Sequence, residues 1–276
     1  MSPIQKTYWI FRYYFVSFYR SRSFYFMLSV ISIAGAMLTY LTMKYFLHYS
    51  GISIFQRISS LLSEQQILGF IWTYVGSYVP VFAAVFFGSS AISGEIESRS
   101  AYSVFPLPVS RTSLMIGKYF ASLLAGFLIV IYYYAFFAVN TIIVLGTLDT
   151  GTFTLSLALS LAFLSSLLSM TYLVSTLFNR ATYSYITVFI IYFLIFTALN
   201  YVIQLLYNYF PFYLLNNTSS VISRVYLNFN PSNLFLTQSI LPLSMDEALL
   251  YTGVFFAYTL ICFIAAVFIF QEKEVK

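Results

Sequence analysis

The sequence predicts an all-α integral membrane protein, with six transmembrane helices in one domain spanning 1–276 and both termini cytoplasmic. Three observations carry this reading. First, 61% of the residues are hydrophobic, 21% are aromatic and 8% are charged, far from the roughly half-apolar, quarter-charged mixture of soluble domains. Burying so much apolar surface in water would leave almost no polar skin, which excludes a soluble enzyme. Second, the charges punctuate the chain at intervals that suit helices of about 20 apolar residues, the length needed to cross the hydrocarbon core. Third, the basic residues are shared unevenly between alternate connections.

The first 22 residues form a leader whose run "KTYWIFRYYFVSFYRSR", from Lys6 to Arg22, interleaves bases with aromatics. Rings embed in the headgroup layer while Lys and Arg snorkel to water, so the leader reads as an interfacial helix. The next stretch, "FYFMLSVISI" before Ala34-Gly35-Ala36, imitates a cleavable signal peptide. The apolar run continues through "MLTYLTM", so it is read as the first span, about 24–46. Further uncharged intervals place spans at about 67–93, 117–146, 153–178, 183–207 and 248–270. Pro80 predicts a kink in the second span. Ala158, Ala162 and Ser166 recur every four residues on the fourth, a small-residue row that permits close helix approach.

The segment 208–247 between the last two spans is uncharged in part, yet it carries Pro211, Asn228, Asn230, Pro231, Ser232, Asn233, Gln238 and Pro242. In lipid those polar groups would go unsatisfied, so a re-entrant or interfacial outer segment is expected there rather than a seventh span. Overlapping sequons at Asn216 and Asn217 lie in it and would be open to glycosylation on that side. With six spans and the N-terminus inside, ten bases are cytoplasmic: Lys6, Arg12, Arg20, Arg22, Arg99, Arg111, Lys118, Arg180, Lys273 and Lys276. Three remain outside: Lys44, Arg57 and Arg224. Basic residues concentrate on the cytoplasmic side, and this fixes the expected orientation in a cell membrane. The net charge of +5 then suits topology and anionic lipid rather than nucleic acid.

Site chemistry is sparse. A single cysteine, Cys262, and a single histidine, His48, exclude an intrachain disulfide and a Cys/His metal cluster. No span has a charge at its middle, where an ion-coupled carrier needs one. Asn140, Asn200 and Gln204 are the polar candidates at depth. Asn200 and Gln204, four apart, share a helical face and either touch a pathway or hydrogen-bond between helices. With no His or carboxylate at depth, intramembrane catalysis lacks a nucleophile–base pair. The phosphate-cradling pattern G-x-x-x-x-G-K-[ST] also fails: "TSLMIGKY" has Thr112 in place of the first Gly and Tyr119 in place of the hydroxyl residue that binds magnesium. The chain is therefore not expected to be an ATPase, and energy for uphill transport would have to enter from outside the membrane.

One cytoplasmic segment is large enough to receive it: 94–116, within "GEIESRSAYSVFPLPVSRTSLMIGKYF". "EIESRS" can extend as helix with Glu95 and Arg99 as an i,i+4 pair. The helix must break before "PLP", and Ser110 is placed to cap a new helix leading into the third span. The result is a short charged elbow between two membrane helices.

The run Glu95-x-Glu97, then Pro108-Val109-Ser110-Arg111, five residues and Gly117-Lys118 resembles the membrane subunits of ABC-2 type transporters. It departs where Arg99-Ser100 replaces the usual Gly-Thr and Val104-Phe105-Pro106 the usual leucines. The resemblance implies a half-transporter, in which the loop between spans two and three forms a coupling helix docked on a separate ATPase. Glu95, Glu97, Arg99, Pro108, Ser110, Arg111 and Lys118 would belong to that region. The implied partners are two ABC ATPase subunits, which bind the ATP and Mg, and a second copy of this or a related permease, all within membrane lipid. The implied activity is export. Other classes remain open on the residues alone: a self-contained ion-coupled secondary transporter, which would need Asn200 and Gln204 at an ion site, and a non-transporting assembly or anchoring protein.

Overall fold

The computed structural model describes residues 3–48, 63–99, 110–207, 210–227 and 243–272, and every regular element among them is helical. Helix α1 (Pro3–Tyr19) opens on proline, whose missing N–H is harmless in a first turn. It passes into α2 (Arg22–His48) through a tight bend at Ser21. The Ser21 hydroxyl donates to Phe18 O at 2.7 Å and accepts from Phe24 N at 3.2 Å, closing one helix and opening the next.

The second apolar run comes in three pieces: α3 (Glu64–Gly76), α4 (Tyr78–Gly88) and α5 (Ser93–Glu97). Ser63 starts it with a reciprocal cap. Gln66 N donates to Ser63 Oγ at 3.3 Å while Ser63 N donates to Gln66 Oε1 at 2.9 Å. The interruption falls at Ser77 because Pro80 has no N–H for the carbonyl of Gly76, four residues back.

Ser110 caps α6 (Arg111–Leu145), accepting from Ser113 N at 3.2 Å. That helix stops at Gly146, whose φ of +73° is a backbone conformation that glycine adopts without strain. Asp149 opens α7 (Thr150–Leu177), accepting from Gly151 N at 3.1 Å and Thr152 Oγ1 at 3.0 Å. The fifth run joins α8 (Ala181–Phe189), a π-helical turn (Ile190–Ile195) and α9 (Phe196–Tyr207). Two short helices, α10 (Leu215–Thr218) and α11 (Val221–Arg224), precede α12 (Met245–Glu272). Among the described residues six helical runs are long and apolar enough to cross a membrane, the number the charge spacing predicts.

Helix α7 is the most buried of the six runs and packs against α12, α4 and α6. Its interior contacts are made by hydroxyls as much as by leucines. Tyr134 OH lies 2.8 Å from Ser156 Oγ and 2.7 Å from Ser160 Oγ, and Tyr172 OH lies 2.9 Å from Ser122 Oγ. Tyr133 OH donates to Trp72 O at 2.6 Å. An unpaired hydroxyl is costly in an apolar solvent, and these three tyrosine hydroxyls find their partners on a neighbouring helix, so each ties a helix pair together.

The small-residue row expected from Ala158, Ala162 and Ser166 does not line a helix contact along its length, because Ala158 is exposed. Close approach occurs instead at Gly88 of α4. A Cβ there would lie 1.9 Å from Thr171 Oγ1 and 2.8 Å from Thr171 Cβ on α7. Residues 210–227 fold back against the bundle, where α10 meets α12 and the π turn and α11 meets α3 and α7. Tyr226 lies across Gly69 of α3, so close that a Cβ on that glycine would fall 2.2 Å from the ring. Of the polar residues that argue against a seventh span, those from Asn228 to Pro242 lie outside the described residues.

Gly88→Ala will therefore destabilise the fold by about 1–3 kcal/mol, the usual cost of overpacking a tight core. Adding Thr171→Ala will restore part of it. Unfolding of the detergent-solubilised chain measures both; an unchanged Gly88→Ala variant would refute this packing.

Candidate functional site

Of the charges that the sequence gathers at 94–118, Glu95 and Lys118 meet at one end of the bundle, where α1, α5 and α6 come together. Lys118 sits two turns into α6 and is 1% exposed. A lone ammonium there would be costly. Glu95, reaching across from α5, forms an ion pair with it, and Lys118 Nζ also donates to Ala91 O at 3.1 Å. The other Glu95 oxygen accepts from Tyr14 OH of α1 at 2.6 Å. The Tyr14 ring lies 4.8 Å from Lys118 Nζ, a cation–π contact that covers the ammonium. Burial, and then the Glu95 carboxylate, push the Tyr14 phenol well above its ordinary value, so it remains a donor. Next to Lys118, Gly117 lets α1 lie flush on α6: a Cβ there would come within 2.7 Å of Ile10 Cγ2 and 3.1 Å of Thr7 O.

Two further charges cap helices other than their own. Glu97 Oε2 accepts from Ala181 N at 2.8 Å. It satisfies an orphan amide at the start of α8, where Arg180 supplies no side-chain cap, and negative charge is favoured at a helix N-terminus. Arg111, at the start of α6, donates to Gln271 O at 2.8 Å and Phe270 O at 3.4 Å, which places a cation on the last carbonyls of α12. Gln271 Nε2 returns a bond to Thr112 Oγ1 at 2.9 Å. Beneath them Ser175 of α7 accepts from Ile92 N and Ser93 N, both at 3.1 Å, and donates to Ser89 O at 2.9 Å. This end of the molecule is thus one network joining α1 and five of the six apolar runs.

One sequence expectation fails here. Glu95 and Arg99 do not make the i,i+4 pair, because α5 ends at Glu97 and Arg99 turns out at φ +59°. Glu95 faces inward to Lys118, a partner 23 residues away, while Arg99 is exposed. Ser110 and Arg111 stand at the start of α6; Pro108 and the rest of 100–109 lie outside the described residues. Asn200 and Gln204 are elsewhere, on α9, where Gln204 Nε2 donates to Asn200 Oδ1 at 2.9 Å. Asn217 Nδ2 donates to the same oxygen at 2.8 Å, tying α9 to α10. Its sequon neighbour Asn216 donates to Thr197 Oγ1 at 3.0 Å. Asn140 pairs with Thr42 between α6 and α2, donating from Nδ2 at 3.1 Å. The sequence reading missed Tyr14, Ser175 and the Ala181 amide. The chain has 26 tyrosines, and nothing local marks the one that meets a residue 81 positions away.

Residues 8–275 match the family described as ABC-2 family transporter protein. The chain belongs to that family. It is a multi-pass membrane protein, and ABC-2 permeases are generally non-catalytic themselves and typically work with an ABC ATPase. No curated protein matches the chain. Among the described residues of this ABC-2 protein no group of three or more His, Cys, Asp or Glu side chains could hold a metal ion.

Breaking one partner of a buried ion pair leaves the other uncompensated. Lys118→Met alone will cost about 3–5 kcal/mol, while Lys118→Met with Glu95→Gln will recover most of the loss. A double-mutant cycle of unfolding measured in detergent checks this; strictly additive losses would mean that the two groups are not coupled.

Proposed function

We propose that this chain is the permease subunit of an ABC-2 exporter and that a separate ATPase drives it through 94–116. The observation that carries the reading is the set of bonds linking the borders of that segment to the membrane helices. On its N-terminal border, Glu95 holds α6 and α1, and Glu97 holds the start of α8. On its C-terminal border, Arg111 holds the end of α12. A load applied between Arg99 and Ser110 therefore reaches the third, fifth and sixth apolar runs and α1 through bonds a few residues away. A merely solvated loop has no need of charges spent in this way.

In the proposed complex two permeases, identical or related, meet two ATPases. The ATPases bind ATP and Mg on the cytoplasmic face, the side that the basic residues favour. Closure of the ATPases displaces the 94–116 elbow, and the bonds above convert that displacement into a rearrangement of the helices that line the substrate path.

Co-expression with the genes that flank it will yield, on gentle extraction, a two-plus-two complex of this permease with an ABC ATPase. A permease that never associates with an ATPase would overturn the assignment. Within that complex Glu97→Lys puts a cation on the start of α8. It will lower substrate movement per ATP hydrolysed severalfold while membrane insertion stays normal. Unchanged transport would remove Glu97 from the coupling route.

A further inference from the structure

We propose that α1 is a sensor of anionic lipid: its outer face binds acidic phospholipid headgroups, and its seating on the membrane surface holds Glu95 in place. The proposal accepts the cytoplasmic orientation argued above, but its test needs no ATPase.

Helix α1 has two faces of different chemistry. Outward stand Tyr8, Trp9, Arg12, Tyr13, Tyr19 and Arg20, all exposed. The Arg12 guanidinium lies 5.6 Å over the Trp9 ring. Aromatic rings with interspersed bases form the composition that partitions to the headgroup layer. Each base near an anionic surface adds attraction worth roughly a fivefold gain in affinity. The inward face carries Ile10, Tyr14 and Phe18. Ile10 packs on Gly117, the Phe18 ring lies 5.7 Å from that of Phe87, and Tyr14 donates to Glu95.

Position on the bundle selects lipid over a protein as the occupant. Across the bend at Ser21 the exposed Tyr19 of α1 meets the exposed Tyr25 of α2, their rings 6.4 Å apart, and α2 is an apolar run long enough to cross the membrane. There Tyr25, Phe26, Val30 and Ile33 are exposed, so the aromatic-basic arc continues a lipid-facing surface at the level where such a helix leaves the hydrocarbon. The bases give that arc the charge opposite to that of an acidic leaflet.

Because the inward face touches Glu95 and covers Lys118, α1 cannot leave the surface without cost to the site. Detachment breaks the bond from Tyr14 to Glu95 and opens the ammonium to water. Anionic lipid, by holding α1 down, therefore stabilises the α5 end of the 94–116 segment.

The test uses the full chain in nanodiscs of phosphatidylcholine, or of equal parts phosphatidylcholine and phosphatidylglycerol. Hydrogen exchange is followed at 94–99, with quenching of Trp9 by a headgroup spin-labelled lipid and Trp9→Phe as the blank. Exchange at 94–99 will slow severalfold in the anionic discs, and high salt will erase the difference. Arg12→Gln with Arg20→Gln, two exposed changes that leave the inward face of α1 alone, will also erase it. Tyr14→Phe will keep Trp9 quenched but lose the protection at 94–99, which separates lipid binding from its transmission. Equal exchange in both discs, or an unquenched Trp9, would overturn the proposal. So would an α1 that is protected only when a second copy or an ATPase is added.

Discussion

A lysine ammonium buried near the end of a membrane helix organises the ends of the helices around it. Lys118 cannot be left alone in so dry a place, because an unpaired charge costs far more than any packing gain available nearby. It draws in the Glu95 carboxylate and the Ala91 carbonyl, both from the end of the second apolar run, and the Tyr14 ring from α1. The pair is weak evidence for net stability, since an apolar substitute of the same shape could serve as well. What it supplies is position: α5 must stop beside α6, and α1 must lie across both. Gly117, by removing a side chain at the contact with Ile10 and Thr7, makes the required approach sterically possible.

The neighbouring charges follow the same logic by a different route. Helix ends in membranes leave backbone groups that lipid cannot satisfy, and here side chains from other helices satisfy them. Glu97 does so for the first turn of α8, Arg111 for the last turn of α12 and Ser175 for the amides that open α5. A cap drawn from its own helix would leave each helix free to move alone. A cap drawn from a neighbour makes the end of one helix depend on the position of another. That dependence is what a transmission element requires, and on the proposed reading it is the use to which so oily a chain puts the scarce charge gathered in one internal stretch.

Much of the architecture was legible because membrane insertion is a coarse test. Charge-free intervals, one proline and the serine before "RTSLMIGKY" are enough to count the spans, place the interruption near Ser77 and put the cap at Ser110. Those features act locally, through insertion energy and backbone geometry. The site was only half legible. Its residue types stood out against the apolar background, but their partners did not. Glu95 had a local candidate in Arg99, but the structure pairs it with Lys118, which is buried and needs a counter-charge, while Arg99 is solvated. The π turn at Ile190–Ile195 carries no composition signal at all, since its residues are ordinary membrane apolars. The row at Ala158, Ala162 and Ser166 showed the converse failure. Small size permits close approach but does not demand it, and the hydroxyls of Ser156 and Ser160, which need Tyr134, set the rotation of α7 instead.

On the proposed reading, the mechanical question is which helix yields when the elbow is pushed. Helices α4, α6, α7 and α12 interlock through Gly88, Tyr134 and Tyr119, so they resist separation. The fifth run is different. It is the least buried of the six, Glu97 grips its first amide, and Asn217 and Asn216 hold its far half through Asn200 and Thr197. Between those grips lies a π-helical turn, whose wider hydrogen-bond spacing is less favourable than that of an α-helix and commonly marks functional sites. A rod gripped at both ends and weakened in the middle bends when one end is displaced. Far-side anchoring is firm as well, because Arg224 of α11 is buried against Glu247 of α12 at 2.8 Å and Tyr251 OH at 3.4 Å. With that end fixed, motion delivered at Glu97 is taken up by the span itself, at Ile190–Ile195, where Ile190, Phe193, Leu194 and Ile195 are exposed and Tyr192 alone is fully buried against the core.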